Sequence, residues 1–480
     1  MSAADPMLVL LAYELDDSQL EVRHARIEER LGALFSVRAE VVLHRDTPLS
    51  REEIDAAIGT PLVLAFVRGD DASDPWHGML VEVRSRPGPD PQVHSYSFTL
   101  APRATRLAMT RRSRIFCGRS VPEIVTSVFA DAGMEIDAHY QLSLARSYSS
   151  RELVVQYEET DLAFVSRLLE HAGMTFFFEH AEAGERLVVV DHPAAWPSLE
   201  GVVRFDPRQG TTGRRIHAME RVRRLLPEYV VVRDYHPSSP GAVLQKGTPV
   251  DTGGAGLVAV FGDHLVDAAG AKRLADDRAE ELRLDRHRIS AHANEPALRP
   301  GTRFTLAYDR GIARDDLDEK ELVVVSATHT IVQPAPGDVA FSSELSMLPA
   351  ALPYRPPRET PVPRIPGVVV GRVTGGPPST AAPIDSEGRY RVVLPFDTEG
   401  SATSWIRRAQ PYTGDRYGTH HPLHVGAEVL VAFHHGDPDR PVIVGAVPNA
   451  ATIPPAVIDN ATQSVTRTHN AIEMEWEDDA

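Results

Sequence analysis

Between Pro349 and Pro366 the chain reads PAALPYRPPRETPVPRIP, a run that can form neither a long helix nor an interior strand. Each proline fixes its own φ, lacks an N–H and restricts the residue before it. Such a run favours an extended, semi-rigid polyproline segment without internal hydrogen bonds. It divides the 480 residues into a long first part and a short second part. A chain of this length ordinarily needs about two to four domains.

Beyond the prolines, strand-like runs follow at Gly367–Val373, Arg389–Pro395, Ser404–Gln410, Glu428–His434 and Pro441–Val447. Short strands with tight turns in about eighty residues suit an OB-type Greek-key barrel. Asp385–Gly388 can form a hairpin turn, and Gly436–Pro441 combines the residues that turns prefer. Residues 450–480 read as a proline-marked linker followed by alternating Ile472, Met474 and Trp476 and an acidic end.

The first part alternates strands with a few helices. Met7–Ala12 reads as a first strand rather than a signal peptide, because no basic stretch precedes it and acidic residues follow at once. Leu62–Val67, Met79–Val83 and His94–Leu100 read as further strands, with a turn at Asp70–Pro75. Ser120 and Glu123 have capping-box spacing before Ile124, Val125, Val128 and Phe129, which share one helix face that ends at Gly133. A second helix repeats the plan, with Thr160 as cap, Asp161 at its positive end, an apolar stripe of Leu162, Val165, Leu168 and Leu169, and Gly173 as stop. A hairpin over Met174–Glu179 and Arg186–Asp191 comes next, turning at Ala181–Glu185. Then come a strand at Tyr229–Asp234, a loop at Ser238–Gly256, a long helix over Ala269–Arg288 and strands at Phe304–Tyr308 and Leu322–Thr330. The fold class is therefore mainly β with a few short helices.

Charge and residue chemistry argue against several functions. The formal net charge is −17, which weighs against a nucleic-acid binder. The arginine clusters at Arg111, Arg112 and Arg114 and at Arg214, Arg215, Arg221, Arg223 and Arg224 read as solvated faces or intersubunit ion pairs. Cys117 is the single cysteine; it excludes an intrachain disulfide and reads as a buried small residue. His420, His421, His424, His434 and His435 cluster as metal ligands do, but strand alternation would send His434 and His435 to opposite faces. No HExxH helix, GxSxG elbow or P-loop occurs. Asp437 and Asp439 read as turn-capping residues and Arg440 as an ion-pair partner. No catalytic, cofactor-binding or metal-binding residue is assigned. A metal-dependent hydrolase using the histidines and an OB-type binder of oligonucleotide or glycan remain as alternatives. The binder would draw on Tyr390, Phe396, Trp405, Tyr412, Tyr417 and Phe433.

Two stretches resemble one known family. Residues 154–180, VVQYEETDLAFVSRLLEHAGMTFFFEH, look like the hub motif of VgrG proteins, the valine–glycine repeat spikes of type VI secretion. IPGVVVGRVTG, DSEGRYRVVLPFD, SWIRRAQPYTG and VGAEVLVAFHHGDPDRPVIVGAVPN look like the OB barrel of the same family. The resemblance implies a structural role for Glu158, Asp161, Phe164, Arg167 and Gly173 in the hub. It implies the same for Gly436, Asp437, Pro438, Asp439, Arg440, Pro441 and Gly445 in the barrel turn. It also implies tube-like hub β-barrels over 1–348, a proline-rich linker over 349–365, an OB-fold neck over 366–449, and a linker with the start of a triple-stranded β-needle over 450–480. The expected protein is a homotrimer without catalytic activity or cofactor. It caps the tube protein Hcp, contacts baseplate proteins, and carries a PAAR-type tip protein and effectors where the needle is complete. It would be assembled in the bacterial cytoplasm, exported by the machine itself without a signal peptide, and driven mechanically through target membranes into the target cell. The hub–spike of a phage tail or an extracellular contractile particle is the nearest alternative. Two departures stand out. Ser464–Asp479 resembles only the beginning of a needle, with no toxin domain after it, and His424 stands where an arginine is expected.

Overall fold

The computed structural model describes the chain except for residues 1–6, 13–19, 69–70, 87–92, 182, 209–214, 313–314, 336–337, 376–380 and 478–480. Arg214, the start of the Asp70–Pro75 turn, part of the Ala181–Glu185 turn and the last acidic residues therefore lie outside the described residues. The strand Asp71–Arg86 begins where most of the first of these turns was expected. The chain forms two compact units. The first comprises Met1–Leu107, Phe129–Ser147 and Ser166–Glu359; the second comprises Ala108–Val128, Tyr148–Val165 and Thr360–Ala480.

The first unit is built on a 12-stranded sheet. Its first half runs through Met7–Ala12, Pro61–Arg68, Asp71–Arg86, His94–Ala101, Ser36–Leu43 and Leu20–Arg30, and then joins Glu321–Ala335. The second half closes on itself. Glu321–Ala335 pairs with Arg303–Tyr308, which leads through Ser198–Phe205, Arg215–Arg221 and Ile289–Ala293 to Asp338–Pro349, and this last strand pairs back with Glu321–Ala335. Closure removes free edges. Period-2 alternation fills the ring: Phe304, Leu306 and Tyr308 on one strand face Ile289, Ala291 and Ala293 on another, all buried. The first half encloses its own core, with Ile27, Val37, Ala39, Val41, Leu64, Trp76, Leu80 and Phe98.

Two smaller layers complete this unit. Thr175–Ala181, Gly184–Val190 and Tyr140–Ser143 form a three-stranded sheet. Leu244–Pro249, Tyr229–Asp234 and Leu257–Phe261 form another, so two strands lie within the expected loop at Ser238–Gly256 or at its end. The helix Ala268–Leu284 packs on it through Ala271, Leu274 and Ala275, and Asp267 caps the helix by accepting from the Gly270 N–H at 2.7 Å.

The second unit is the OB barrel. Its sheet runs Arg391–Val393, Val368–Thr374, Glu428–Phe433, Pro441–Ala446. The expected strand at Ser404–Gln410 forms no continuous ladder. Residues within it and just before it make single bridges instead, Ala402 with Val393, Ile406 with Tyr390, and Arg408 with Ile443. The segment thereby touches both outer strands and closes the barrel. Beyond it, Gln463–Arg467 and Glu473–Glu477 form a two-stranded ribbon.

Candidate functional site

The hub motif begins on a strand with a defect in its register. Arg111–Arg119 and Arg151–Thr160 pair antiparallel, and the pairing slips between Arg112 and Arg114. Glu158 occupies the slip with φ 44°, in the left-handed region, and its N–H donates to the Ser113 hydroxyl at 2.9 Å. A bulge of this kind re-aims the side chains around it. Here it turns Arg112, Arg114 and Gln156 towards the helix Asp161–Ala172, which starts at once. Its first residue, Asp161, is 2% exposed.

The Asp161 carboxylate accepts from Arg112 Nη2 at 2.9 Å, Arg114 Nη2 at 3.3 Å and Gln156 Nε2 at 2.8 Å. Arg114, itself 1% exposed, also donates from Nε to the Gln156 Oε1 at 2.8 Å and lies over the Phe116 ring. The expectation of a solvated or intersubunit Arg111–Arg114 cluster therefore fails for Arg114. A buried carboxylate needs donors, and guanidinium forks supply them. The later cluster is paired within the chain as well: Arg215 with Asp206 and Asp309, and Arg221 with Asp316. One turn along the helix, Phe164 is fully buried and stacks on Phe116 at 5.6 Å.

The other face of this ribbon, the Arg111–Arg119/Arg151–Thr160 pair, belongs to the barrel core. Ile115, Leu153 and Val155 are buried with Ile365, Tyr390, Val392, Val429, Val431 and Ile443. Tyr157 meets Phe396 edge-on at 5.1 Å. Each fully buried aliphatic side chain here contributes roughly 1.5–3 kcal/mol. The turn after Glu428–Phe433 meets the same ribbon. His434 and His435 lie in a 3-10 turn with Gly436, not on strand faces, and His435 has φ 55°. Gly436 has φ 73°, and its carbonyl accepts from the Ile365 N–H at 2.8 Å. Asp437 is buried and its carboxylate accepts from the Asp439 N–H at 3.1 Å, with Arg440 Nε 3.6 Å away. Pro438 is buried between the two aspartates. Asp439 points elsewhere: its Oδ1 accepts from the Val155 backbone N–H at 2.7 Å. Pro441 opens the closing strand opposite Phe433, and Gly445 pairs with Leu430 beside a register slip. Two motifs 284 residues apart thus meet at one hydrogen bond.

Arg167 and Gly173 belong to the first unit. Arg167 is buried. Gly173 has φ 70°, and a Cβ there would lie 3.1 Å from Arg355 Cδ. Its carbonyl accepts from Arg355 Nη1 at 3.1 Å. Arg355 comes from the proline-rich run, is 4% exposed, and also reaches the Asp191 carbonyl at 2.7 Å and Glu280 Oε2 at 2.8 Å. Side-chain contacts of this kind pin a segment that cannot form a ladder of its own.

A second buried carboxylate, absent from the sequence reading, sits in the first unit. Glu29 is enclosed by Trp76 Nε1 at 3.2 Å, His329 Nε2 at 3.5 Å and His180 Nε2 at 3.7 Å. Arg299 lies over the Trp76 ring at 4.2 Å. Burial alone would raise this carboxyl; the His180 and His329 contacts and the Arg299 charge outweigh burial and hold it far below the usual carboxylate range. His180 closes the quoted hub motif, so one of these ligands was inside the motif without marking itself. Elsewhere, Cys117 is exposed, contrary to expectation. His424 stacks on His469 at 4.2 Å. Of the barrel aromatics, Tyr390 and Phe433 are core residues, whereas Tyr412 and Tyr417 are 63% and 58% exposed.

Residues 28–335 match the phage tail baseplate hub (GPD) family, and residues 380–447 match the type VI secretion system/phage-baseplate injector OB domain. The chain belongs to the hub family that includes the VgrG spikes. Among VgrG relatives, spike protein VgrG1b of Pseudomonas aeruginosa is 30% identical over 98% of this chain and 64% of its own length. VgrG3 of Vibrio cholerae is 30% identical over 78% of this chain and 38% of its own length. The chain thus spans about two thirds or less of these VgrG relatives. In structure it is similar to the E. coli c3393 protein, a component of the type VI secretion system resembling T4 tail proteins gp27 and gp5, with TM-score 0.66, 20% identity and coverage of 91% and 99% of the two chains. It is also similar to the PdpA–VgrG complex in its lidless form, with TM-score 0.62, 10% identity and coverage of 99% and 93%. In VgrG terms, the matched regions are hub and injector OB domain, the spike part of the family. No described helix is long and apolar enough to cross a membrane.

Proposed function

We propose that this chain is the hub and neck of a type VI secretion spike, acting as a structural part and not as an enzyme. The observation that carries this reading is one chain holding a baseplate hub and an injector OB domain, with hub-motif residue Val155 bonded to turn residue Asp439. The backbone passes between the two compact units after Leu107, Val128, Ser147, Val165 and Glu359. A pushing load is then shared by several covalent crossings. In this reading residues 1–348 are the hub, 349–365 the linker, 366–449 the neck and 450–480 the start of a needle, with the Arg111–Arg119 and Arg151–Thr160 strands completing the neck's core.

A homotrimer is favoured by the end of the chain. The ribbon Gln463–Arg467/Glu473–Glu477 exposes Met474 and Trp476, with Ile472 exposed beside it. A lone two-stranded ribbon with no covered apolar face is marginal in water; intertwining with two further copies would cover it. Hcp, baseplate proteins, a PAAR-type tip and effectors are the partners this role requires, and export by the machine itself is its route out of the cell. The test uses the whole natural protein in a strain deleted for its spike gene. Restored release of Hcp into the medium, with a native mass of three chains, is expected. A monomer that restores no release would sink the proposal, and gene neighbours of phage-tail type would move it to a phage machine.

A further inference from the structure

His180 holds one protonation state by geometry. Its side chain is fully buried. Its Nδ1 accepts the backbone N–H of His77 at 3.0 Å, so Nδ1 carries no proton and the neutral ring carries its proton on Nε2. That Nε2–H faces Glu29 Oε1 at 3.7 Å. The same tautomer argues against a metal between His180, His329 and Glu29, because a ligating imidazole normally donates through its other nitrogen, and in His180 that nitrogen is already an acceptor.

The His77–His180 bond joins two sheets. His77 lies on Asp71–Arg86 of the large sheet, and His180 lies on Thr175–Ala181 of the small one. A proton on Nδ1 would set N–H against N–H at 3.0 Å, and the bond must break. We propose that His180 is an acid-release catch: on acidification its Nδ1 takes a proton, lets go of His77, and frees the Thr175–Ala181/Gly184–Val190 hairpin from strand Asp71–Arg86. The hub is then tight at neutral pH and loosened in an acidic compartment. This rests on the fold alone and stands whichever machine the spike serves.

Every neighbouring charge bears on the catch. Glu29 on Leu20–Arg30 favours the charged ring. Burial, Arg299 ahead of Arg303–Tyr308, and His77 disfavour it, burial most of all, and the net direction is downward. His329 on Glu321–Ala335 shares Glu29 and is itself held by Ser343 Oγ at 2.7 Å. Glu185 on the hairpin favours a charged His77 side chain and accepts from the Arg103 N–H at 2.8 Å. Glu179 on the hairpin is paired with Arg186. Because the folded ring is harder to protonate than a free one, the opened state takes up the proton first. Opening is therefore favoured as pH falls below about 6.5 and levels off below the folded midpoint.

Hydrogen exchange of the full chain tests this, read on peptides covering Asp71–Arg86 and Thr175–Val190 and corrected against an unfolded reference at each pH. Between about pH 6.5 and the folded midpoint, opening is expected to rise by up to about tenfold per pH unit, with no such rise in Arg111–Arg119. His180→Gln, whose amide can accept from His77 and donate to Glu29 at any pH, should abolish the rise. Glu29→Gln removes the charge that favours protonation and should move the plateau to lower pH. Flat protection in the unmodified chain, an undiminished rise in H180Q, or a plateau unmoved or raised in E29Q each overturns the catch.

Discussion

Glu29 and Asp161 are two carboxylates buried in two units, and they are held by different chemistry. Glu29 gathers a tryptophan, two imidazoles and the charge of Arg299. Asp161 gathers two guanidinium groups and a glutamine. Both answer the same requirement, that a carboxylate out of water must be given donors. The difference lies in what the donors do when protons become available. Imidazoles change state near neutral pH, whereas guanidinium groups stay charged at any pH a cell meets. The Glu29 centre is thereby tied to pH through its partners. The Asp161 centre fixes the ribbon, the helix start and one wall of the barrel core with donors that do not titrate.

The largest expected effect breaks the second centre. Asp161→Ala takes from Arg114, 1% exposed, its buried carboxylate partner, while the half-exposed Glu399 stays 3.9 Å away. Removing one partner of a buried pair costs roughly 3–5 kcal/mol. Denaturant unfolding should show that loss, and it should be the same at about pH 8 and about pH 6, because the stranded group stays charged. A cost below about 1 kcal/mol, or one that grows as the solution is acidified, would erase the contrast with Glu29.

A smaller effect is expected at the join between the motifs. Asp439→Ala removes the acceptor of the Val155 N–H, held at 2.7 Å. Loss of a hydrogen bond to a charged group costs about 1.5–3 kcal/mol. Asp439→Asn keeps an acceptor oxygen and should recover most of that loss in thermal unfolding. If Asn proves as harmful as Ala, the negative charge and not the hydrogen bond holds the turn to the ribbon.

Much of the architecture was legible because it rests on local rules. Pro, Gly and Asp punctuate the barrel, so four of its five expected strands and the turn at Gly436–Pro441 could be placed from sequence alone, while Ser404–Gln410 makes only single bridges. Of the box spaced at Ser120 and Glu123, one half forms: the Glu123 carboxylate accepts from the Ser120 N–H at 2.7 Å, and the Ser120 hydroxyl donates to the same oxygen. The same signal was overlooked at Ser50 and Glu53, where a full capping box starts a helix over Arg51–Ala57 in a region read as strands and turns. Other features could not be read locally. Arg114 reads in sequence like the exposed Arg111, and the bulge at Glu158 turns it inward. Glu29, His180 and His329 lie on strands far apart in sequence, each at a position that alternation alone would allow to be polar. The Asp439–Val155 bond depends on pairing that no turn rule encodes. Contacts set by tertiary register stay hidden until the strands are placed.

The smallest effect sharpens the Glu29 side of the comparison. Ser343 and the His329 Nδ1 are 2.7 Å apart, both buried. If the hydroxyl donates there, it leaves the His329 proton on Nε2, facing Glu29. Ser343→Ala removes that direction. The ring must then either keep its tautomer with a buried, unmatched Nδ1 or turn a lone pair towards the carboxylate. Either outcome costs about 1 kcal/mol, the net worth of one hydrogen bond between neutral groups. The loss should appear in thermal unfolding at about pH 8, above the ordinary histidine range of about 6.5. No loss at that pH would mean that Trp76 and His180 alone satisfy Glu29. The hub's buried carboxylate would then rest on fewer donors than the barrel's, and its response to acid would pass through His180 alone.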